Sequence, residues 1–207
     1  MNDISIKMFI CLITSLSLML LIFRKESRKF LLFLLFGLTS CLLAGFINDY
    51  VIDLINIERY SATINITPII EEFLKAIPIV LFTFIYKPTK ENLLECSITV
   101  GIGFSLLENF CLMYLTDVSL LFAFVRGIGT GLMHGVCTLM VGYALSYVLE
   151  NKEVFVLGTF ASITVSIIYH STYNILIQSS YPMLGILMPI LTYIPLIIIL
   201  KNKKIKE

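Results

Sequence analysis

Between residues 4 and 200 long apolar runs alternate with short polar clusters, and each run approaches the roughly 20 apolar residues that a bilayer-spanning helix requires. The pattern predicts seven helices, near 4–23, 30–50, 68–86, 93–115, 119–148, 154–177 and 182–200. The first run, Ile4 to Phe23, lacks a basic leader and a small-residue cleavage site, so it reads as a retained span and not a removed signal peptide. Thr67 followed by Pro68 marks the start of the third helix, Thr67 as N-cap and the proline at the first helical position. Pro78, Pro189 and Pro195 fall inside helices and predict kinks. The mixed stretch NDYVIDLINIERYSATINI, residues 48–66, either extends the second helix or lies as an amphipathic piece on the membrane surface.

The polar clusters are unequal. RKESRK, KPTKE, ENKE and the tail KNKKIKE hold eleven of the basic residues, from Arg24, Lys25, Arg28 and Lys29 through Lys87, Lys90 and Lys152 to Lys201, Lys203, Lys204 and Lys206. The other ends of the runs offer only Lys7 and Arg59. The excess of Lys and Arg on cytoplasmic loops then places the C-terminus inside and the N-terminus outside, a split that requires an odd number of spans.

Composition narrows the class. The 207 residues are 58% hydrophobic and 14% charged, with a mean hydropathy of +0.94. A soluble domain of this length could not hide that much apolar surface. The expectation is an all-α polytopic protein of the cell membrane, one integral-membrane domain over 1–207, surrounded by the lipid bilayer. A formal net charge of +1 gives no footprint for nucleic acid. The five cysteines (Cys11, Cys41, Cys96, Cys111 and Cys137) stand singly in apolar segments with no CxxC, which argues against a disulfide framework or a thiolate zinc site.

Against this apolar background a few ionisable groups stand out: Glu71, Glu72 and Lys75 in EEFLK, Glu108 in LLENF, Arg126, His134 in HGVCT and His170 in HSTYN. A charge inside a bilayer costs a few kcal/mol or more, so such groups are functional candidates by default. Counted along their helices from the cytoplasmic ends, Glu108 lies ~22 Å and His170 ~24 Å in, while Glu71 and Glu72 lie within about two turns of the outer surface. His134 reads as somewhat deeper, in a helix long enough to tilt. Four helices therefore converge on one cavity that opens outward.

The chemistry available there is acid–base chemistry. Glu71 and Lys75 have the favoured one-turn ion-pair spacing, which leaves Glu72 on a neighbouring face as a general base. The bland alternative is a helix start whose acids complement the dipole. Glu108 reads equally as a catalytic acid or as an ion-pair partner of Arg126. Each histidine, the only two in the chain, is followed one turn later by a hydrogen-bonding side chain, Thr138 and Asn174. His134, His170 and Asn174 can donate hydrogen bonds to a developing oxyanion. Alternatively the two imidazoles with Glu108 or Glu72 can bind Zn²⁺ and leave a position open for water, the set favoured being Glu108, His134 and His170. Gly127, Gly131 and Gly135 form GxxxGxxxG, a pattern for close helix packing that would draw His134 toward its neighbours. Three buried acids against two fixed bases leave one acid in excess, which must be protonated, paired with a histidinium or bound to a metal.

EEFLK, ENF, HGVCT and HSTYN, in that order, resemble the PrsW family of bacterial intramembrane proteases, whose pattern is EExxK, ENxxY, HxxxT and HxxxN on successive spans. That family is related to the CAAX prenyl proteases and bacteriocin-processing enzymes. The resemblance covers roughly 65–177 and departs at Leu112, where the pattern has tyrosine and the nearest tyrosine is Tyr114. Lys75 favours PrsW over the CAAX group, and the CAAX group's FxxxH fails at Thr130. The resemblance implies cleavage of a membrane-anchored single-span protein near the extracytoplasmic face, an anti-sigma factor in regulated proteolysis. It implies that Glu71 and Glu72 activate water while His134 and His170 complete the site and Asn174 assists. The rival readings are a CAAX-type prenyl-protein protease, a small ion- or proton-coupled transporter, because buried Glu/His chains also mark ion pathways, and a scaffold whose polar groups only glue helices.

Overall fold

The computed structural model describes residues 9–10, 12–14, 16, 18–20, 25–116, 118–149 and 152–203. Its helices are α1 (Lys25–Ile55), α2 (Arg59–Asn65), α3 (Thr67–Tyr86), α4 (Lys90–Leu115), α5 (Leu120–Val148), α6 (Lys152–Gln178) and α7 (Pro182–Lys203). Six of the expected ranges thus carry a helix. The expected first span at 4–23 lies partly outside the described residues, as do Lys7, Cys11 and Arg24, and Lys204 and Lys206 of the tail. No strand occurs among the described residues. Four helices are long and apolar enough to cross a membrane: Ser27–Ile55, Lys90–Leu115, Leu120–Val148 and Val154–Gln178.

Helix boundaries follow from local chemistry. Thr89 and Ser119 cap α4 and α5, each side chain accepting from a backbone N–H three residues on, Asn92 and Phe122. The N-cap of α3 is Ile66 and not Thr67, and it offers no side-chain cap. Pro68 still falls in the first turn, where a missing N–H leaves nothing unpaired. The mixed stretch 48–66 divides, and its first part extends the second expected helix. α1 runs on to Ile55, Asn56 breaks it with φ 51°, and α2 follows as a short separate helix. Asparagine tolerates that left-handed conformation better than most residues.

Inside the helices neutral hydroxyls are satisfied at home. Thr39, Thr83 and Ser97 each donate to the carbonyl four residues back. Pro78 shows the same economy across helices. Its ring nitrogen cannot donate to the Leu74 carbonyl, and the hydroxyl of Ser40 on α1 donates to that oxygen instead, at 3.2 Å.

One apolar cluster joins five helices: Phe33 of α1, Ala76 and Ile79 of α3, Leu93, Cys96 and Val100 of α4, Val141 and Leu145 of α5, and Ile163 of α6. A second, Met133, Cys137 and Tyr173, ties α5 to α6 and α7. The outer surface is just as apolar, with Phe84, Leu120 and Leu157 well exposed. A bilayer covers such a surface; water does not.

Backbone contact between helices is made by glycines other than those expected. A Cβ on Gly101 of α4 would meet the His134 carbonyl carbon at 2.6 Å, and Gly37 of α1 and Gly103 of α4 sit as tightly against the backbones of α4 and α1. Within GxxxGxxxG, Gly127 has nothing within 4 Å of its Cβ position, Gly131 meets only the Ser105 hydroxyl at 3.7 Å, and Gly135 alone packs closely, 3.3 Å from the Ile98 side chain of α4. That stripe leaves the face of α5 flat without a backbone to fill it. The basic ends gather on one side: Lys29 at the start of α1 donates to Asn92 at the start of α4, and Lys90 lies over the rings of Tyr143 and Tyr147 near the end of α5.

Candidate active site

α3 enters the bundle with Glu71, Glu72 and Lys75 on its second and third turns, all three buried. Its partners come from α4 (Glu108), α5 (Arg126 and His134) and α6 (His170), so the four helices expected to converge do so. A connected set of polar contacts runs through the apolar interior. Arg126 Nη2 donates to Glu108 Oε1 at 3.1 Å, and Glu108 Oε2 lies 2.9 Å from His134 Nε2. His134 Nδ1 is 2.6 Å from Lys75 Nζ, which is 2.5 Å from Glu72 Oε1. The same Glu72 oxygen lies 2.8 Å from His170 Nδ1. The two imidazoles stand edge to face with centroids 5.0 Å apart, and the ring of Phe104 packs 4.8 Å from that of His134.

Two expected pairings are corrected. Lys75 pairs with Glu72 at i,i+3 and not with Glu71 at i,i+4. Both acids are within a helix's reach of the lysine. The choice falls to tertiary partners, because His170 donates to the same Glu72 oxygen and His134 takes the other side of the ammonium. The residues able to share a cation are also not the expected three. The carboxylate grouped with the two histidines is Glu71, with one ligand atom each from Glu71, His134 and His170 all within 4.8 Å of one another. Glu108 is instead spanned between Arg126 and His134, one oxygen for each.

The excess acid can now be identified. Glu72 is matched by Lys75 and Glu108 by Arg126, which leaves Glu71. Its Oε2 is buried and has no hydrogen-bond partner among the described residues. It faces His170 Nε2 at 3.9 Å. In a neutral His170 ring whose Nδ1 donates to Glu72, Nε2 carries a lone pair, and it then confronts the unpartnered Glu71 oxygen in a low-dielectric pocket. Only a cation or a proton donor between them makes that arrangement favourable. Two imidazoles and a carboxylate are a zinc-type donor set and would fit such an ion. His134 would be the third donor, and its two ring nitrogens stand against Lys75 and Glu108.

Other expected participants lie elsewhere. Asn174 donates from Nδ2 to the Thr63 carbonyl of α2 at 2.8 Å. Gln178, one turn further, donates to the Thr63 hydroxyl at 2.9 Å. Gln178 was missed in the sequence although it shares a face with His170 and Asn174. Thr138 donates to carbonyls of its own helix. Tyr114, the nearest tyrosine to the departure at Leu112, is 58% exposed and outside the cluster. Of the linked acids, only Glu108, with a third of its side chain accessible, offers a route inward beside Arg126.

Apolar helices enclosing a chain of acids, bases and imidazoles define a multi-pass membrane protein with a polar site inside its own bundle. The model of the PrsW family of intramembrane metalloproteases matches residues 26–200, and the chain belongs to that family. It is therefore an intramembrane protease, a peptide hydrolase that acts on membrane proteins. Neither the curated proteins nor the solved structures contain a match to this chain.

Proposed function

We propose that this protease hydrolyses a peptide bond of a single-span membrane protein near the extracytoplasmic face, with Glu71 as general base. The observation that carries the reading is the unpartnered, buried Glu71 Oε2 opposite the bare Nε2 of His170. A carboxylate that no lysine or arginine neutralises is the group able to take a proton from water. His134 and His170 would supply the imidazole donors for the metal ion that the family description implies, with Glu71 beside them as the base. When bound, such an ion polarises a carbonyl and acidifies water. The chain's other groups orient these three. Glu72 aligns His170, and Arg126 holds Glu108 against His134.

The orientation follows the charges: N-terminus outside, C-terminus cytoplasmic, seven spans, one domain over 1–207. The gathering of the basic ends on one side supports it. Glu108 lies eighteen residues into α4 from the basic Lys90, or ~27 Å along a ~30 Å hydrocarbon core. That depth favours a cut near the outer surface, and the anti-sigma factors implied by the PrsW resemblance are anchored proteins of that kind.

The test uses the full chain in proteoliposomes with a single-span substrate. Glu71→Gln is expected to lower cleavage roughly 100- to 10,000-fold, the range of a lost general base, while the protein still inserts and accumulates. Bound metal, measured by elemental analysis, should fall instead in His170→Ala. Cleavage that survives Glu71→Gln removes Glu71 as the base. Ion flux without any peptide product would support the transporter reading instead.

A further inference from the structure

We propose that the cleft between α1 and α3 binds an anionic phospholipid, with the lipid phosphate at Arg28 and Lys29 and an acyl chain laid along the cleft toward Leu43. The cleft has a volume of about 630 Å³. Its α1 wall carries Leu32, Phe36 and Leu43 on one helical face, and its α3 wall carries Ile77, Leu81 and Ile85. Phe33 and Phe82 meet between the two walls, edge to face, with ring centroids 4.9 Å apart. The hydroxyls of Thr39 and Ser40 also line the cleft, but both donate to backbone carbonyls, of Leu35 and Leu74. That stretch of the cleft therefore offers a ligand only apolar surface. The polar end is the opposite one. Arg28 is exposed there, Lys29 is partly buried beside it, and Tyr86 lines the α3 side. Lys29 donates to Asn92 and adds its charge to that of Arg28.

Length decides between occupants. Arg28 and Leu43 are fifteen residues apart, ~22 Å along α1. One leaflet with its headgroups is about 20–22 Å thick, half of a whole bilayer. The cleft therefore matches one lipid from headgroup to chain end, whereas a helix that crosses the membrane needs both leaflets. Charge argues the same way, taking the basic side of the bundle as cytoplasmic as in the orientation proposed above. A single-span protein carries Lys and Arg at its cytoplasmic flank, where Arg28 and Lys29 would repel them. A lipid phosphate is attracted, and basic recesses between spans on that side suit anionic headgroups. The described part of the N-terminal segment leaves the cleft clear, because Phe9, Leu12 and Leu16 pack with Leu31, Leu35 and Leu38 on a neighbouring face of α1. α3 is shared between the two sites. Glu71, Glu72 and Lys75 enter the polar cluster, while Leu74, Ile77 and Leu81 line the cleft. An acyl chain there braces α3 at Pro78, where its own backbone ladder lacks a hydrogen bond.

The test titrates the full-length protein in detergent with dioleoylphosphatidylglycerol or dioleoylphosphatidylcholine and reads bound lipid by native mass spectrometry. One cation at the membrane surface favours an anionic lipid roughly fivefold, so the first bound lipid should prefer the anionic headgroup roughly 5- to 30-fold. Arg28→Gln should remove roughly fivefold of that preference. Ile77→Trp fills the cleft from a half-exposed position and should weaken binding of both lipids. Lys90→Gln removes a charge that lies over the Tyr143 and Tyr147 rings instead, and should leave the preference unchanged. Phosphatidylglycerol should also raise the Tm of the wild type and not that of Ile77→Trp. A phosphatidylglycerol with a diazirine near the chain end should label residues 39–43 and 74–78. Equal affinity for the two lipids, equal losses in Arg28→Gln and Lys90→Gln, equal Tm shifts, or label spread over the whole bundle would each overturn the proposal. So would a single-span substrate that displaces the lipid and cross-links to the same residues, since the cleft would then belong to the substrate. None of these readings needs cleavage, so an active Glu71→Gln variant would remove the proposed base and leave the lipid site standing.

Discussion

His134 with Thr138 on α5 and His170 with Asn174 on α6 have the same four-residue spacing, but the residue one turn on goes to different places. Thr138 stays on its own helix, its hydroxyl on the carbonyls of His134 and Gly135 at 3.0 and 3.1 Å. Asn174 leaves α6 for the backbone of α2, more than a hundred residues earlier in the chain. The rings differ as well. His134 has a partner on each nitrogen, while His170 holds Glu72 on one side and shows a bare nitrogen to Glu71 on the other. Spacing of i,i+4 places two side chains on one face, but a turn of 5.4 Å separates them, enough to put the second beyond a site built around the first. The His134 half is held by close backbone contact with Gly101. The His170 half is the side proposed to react and is tied to the short helix α2.

The largest effect should come from breaking the half held at Gly101. Gly101 lets α4 lie directly on the His134 turn, where a Cβ would come 2.5 Å from the Thr138 hydroxyl as well as against the His134 carbonyl. Backbone cannot yield as a flexible side chain can. Gly101→Ala is therefore expected to cost at least the roughly 1–3 kcal/mol of an overpacked core and to move His134 off Lys75 and Glu108. Both thermal stability in detergent and cleavage should drop. Gly127→Ala, made where the Cβ meets nothing, is the control and should leave both unchanged. Equal behaviour of the two variants would mean that α5 is not held at Gly101.

That contrast also shows what the sequence could and could not tell. Helix positions were readable because a bilayer-length apolar run has one solution for its backbone. The convergence of Glu71, Glu72, Glu108, His134 and His170 was readable from their depths, and so was the single excess acid from the charges. The identity of that acid was not. Glu71 and Glu72 are both within reach of Lys75 along the helix, and His170, almost a hundred residues away, decides between them. Glycine spacing likewise marks a flat face without naming the neighbour that uses it, so GxxxGxxxG pointed to α5 while the close contact is made from α4. Asn174 shared a face with His170, but nothing local in HSTYN points to Thr63.

Asn174→Ala sharpens the second half of the comparison. As a clasp on the Thr63 carbonyl, Asn174 contributes one hydrogen bond of about 1 kcal/mol, with Gln178 left to hold the same residue. Faster proteolytic nicking or hydrogen exchange around 56–66 is expected, with cleavage reduced by about fivefold or less. An oxyanion donor would be far more sensitive, losing roughly 100- to 1,000-fold in kcat. A loss of that size would return Asn174 to the chemistry and require its amide to swing inward from the position described.

The smallest effect is expected at Thr138. Its hydroxyl donates to carbonyls that already accept helical hydrogen bonds, so removing it leaves no buried group unpaired. Thr138→Ala should lower stability by no more than about 1 kcal/mol and leave kcat of the folded enzyme essentially unchanged. The hydroxyl it removes lies against Gly101, where the helices are already in backbone contact. A large fall in kcat with stability intact would mean that the HxxxT hydroxyl reaches the reacting atoms after all. The two histidine motifs would then be alike in chemistry as well as in spacing.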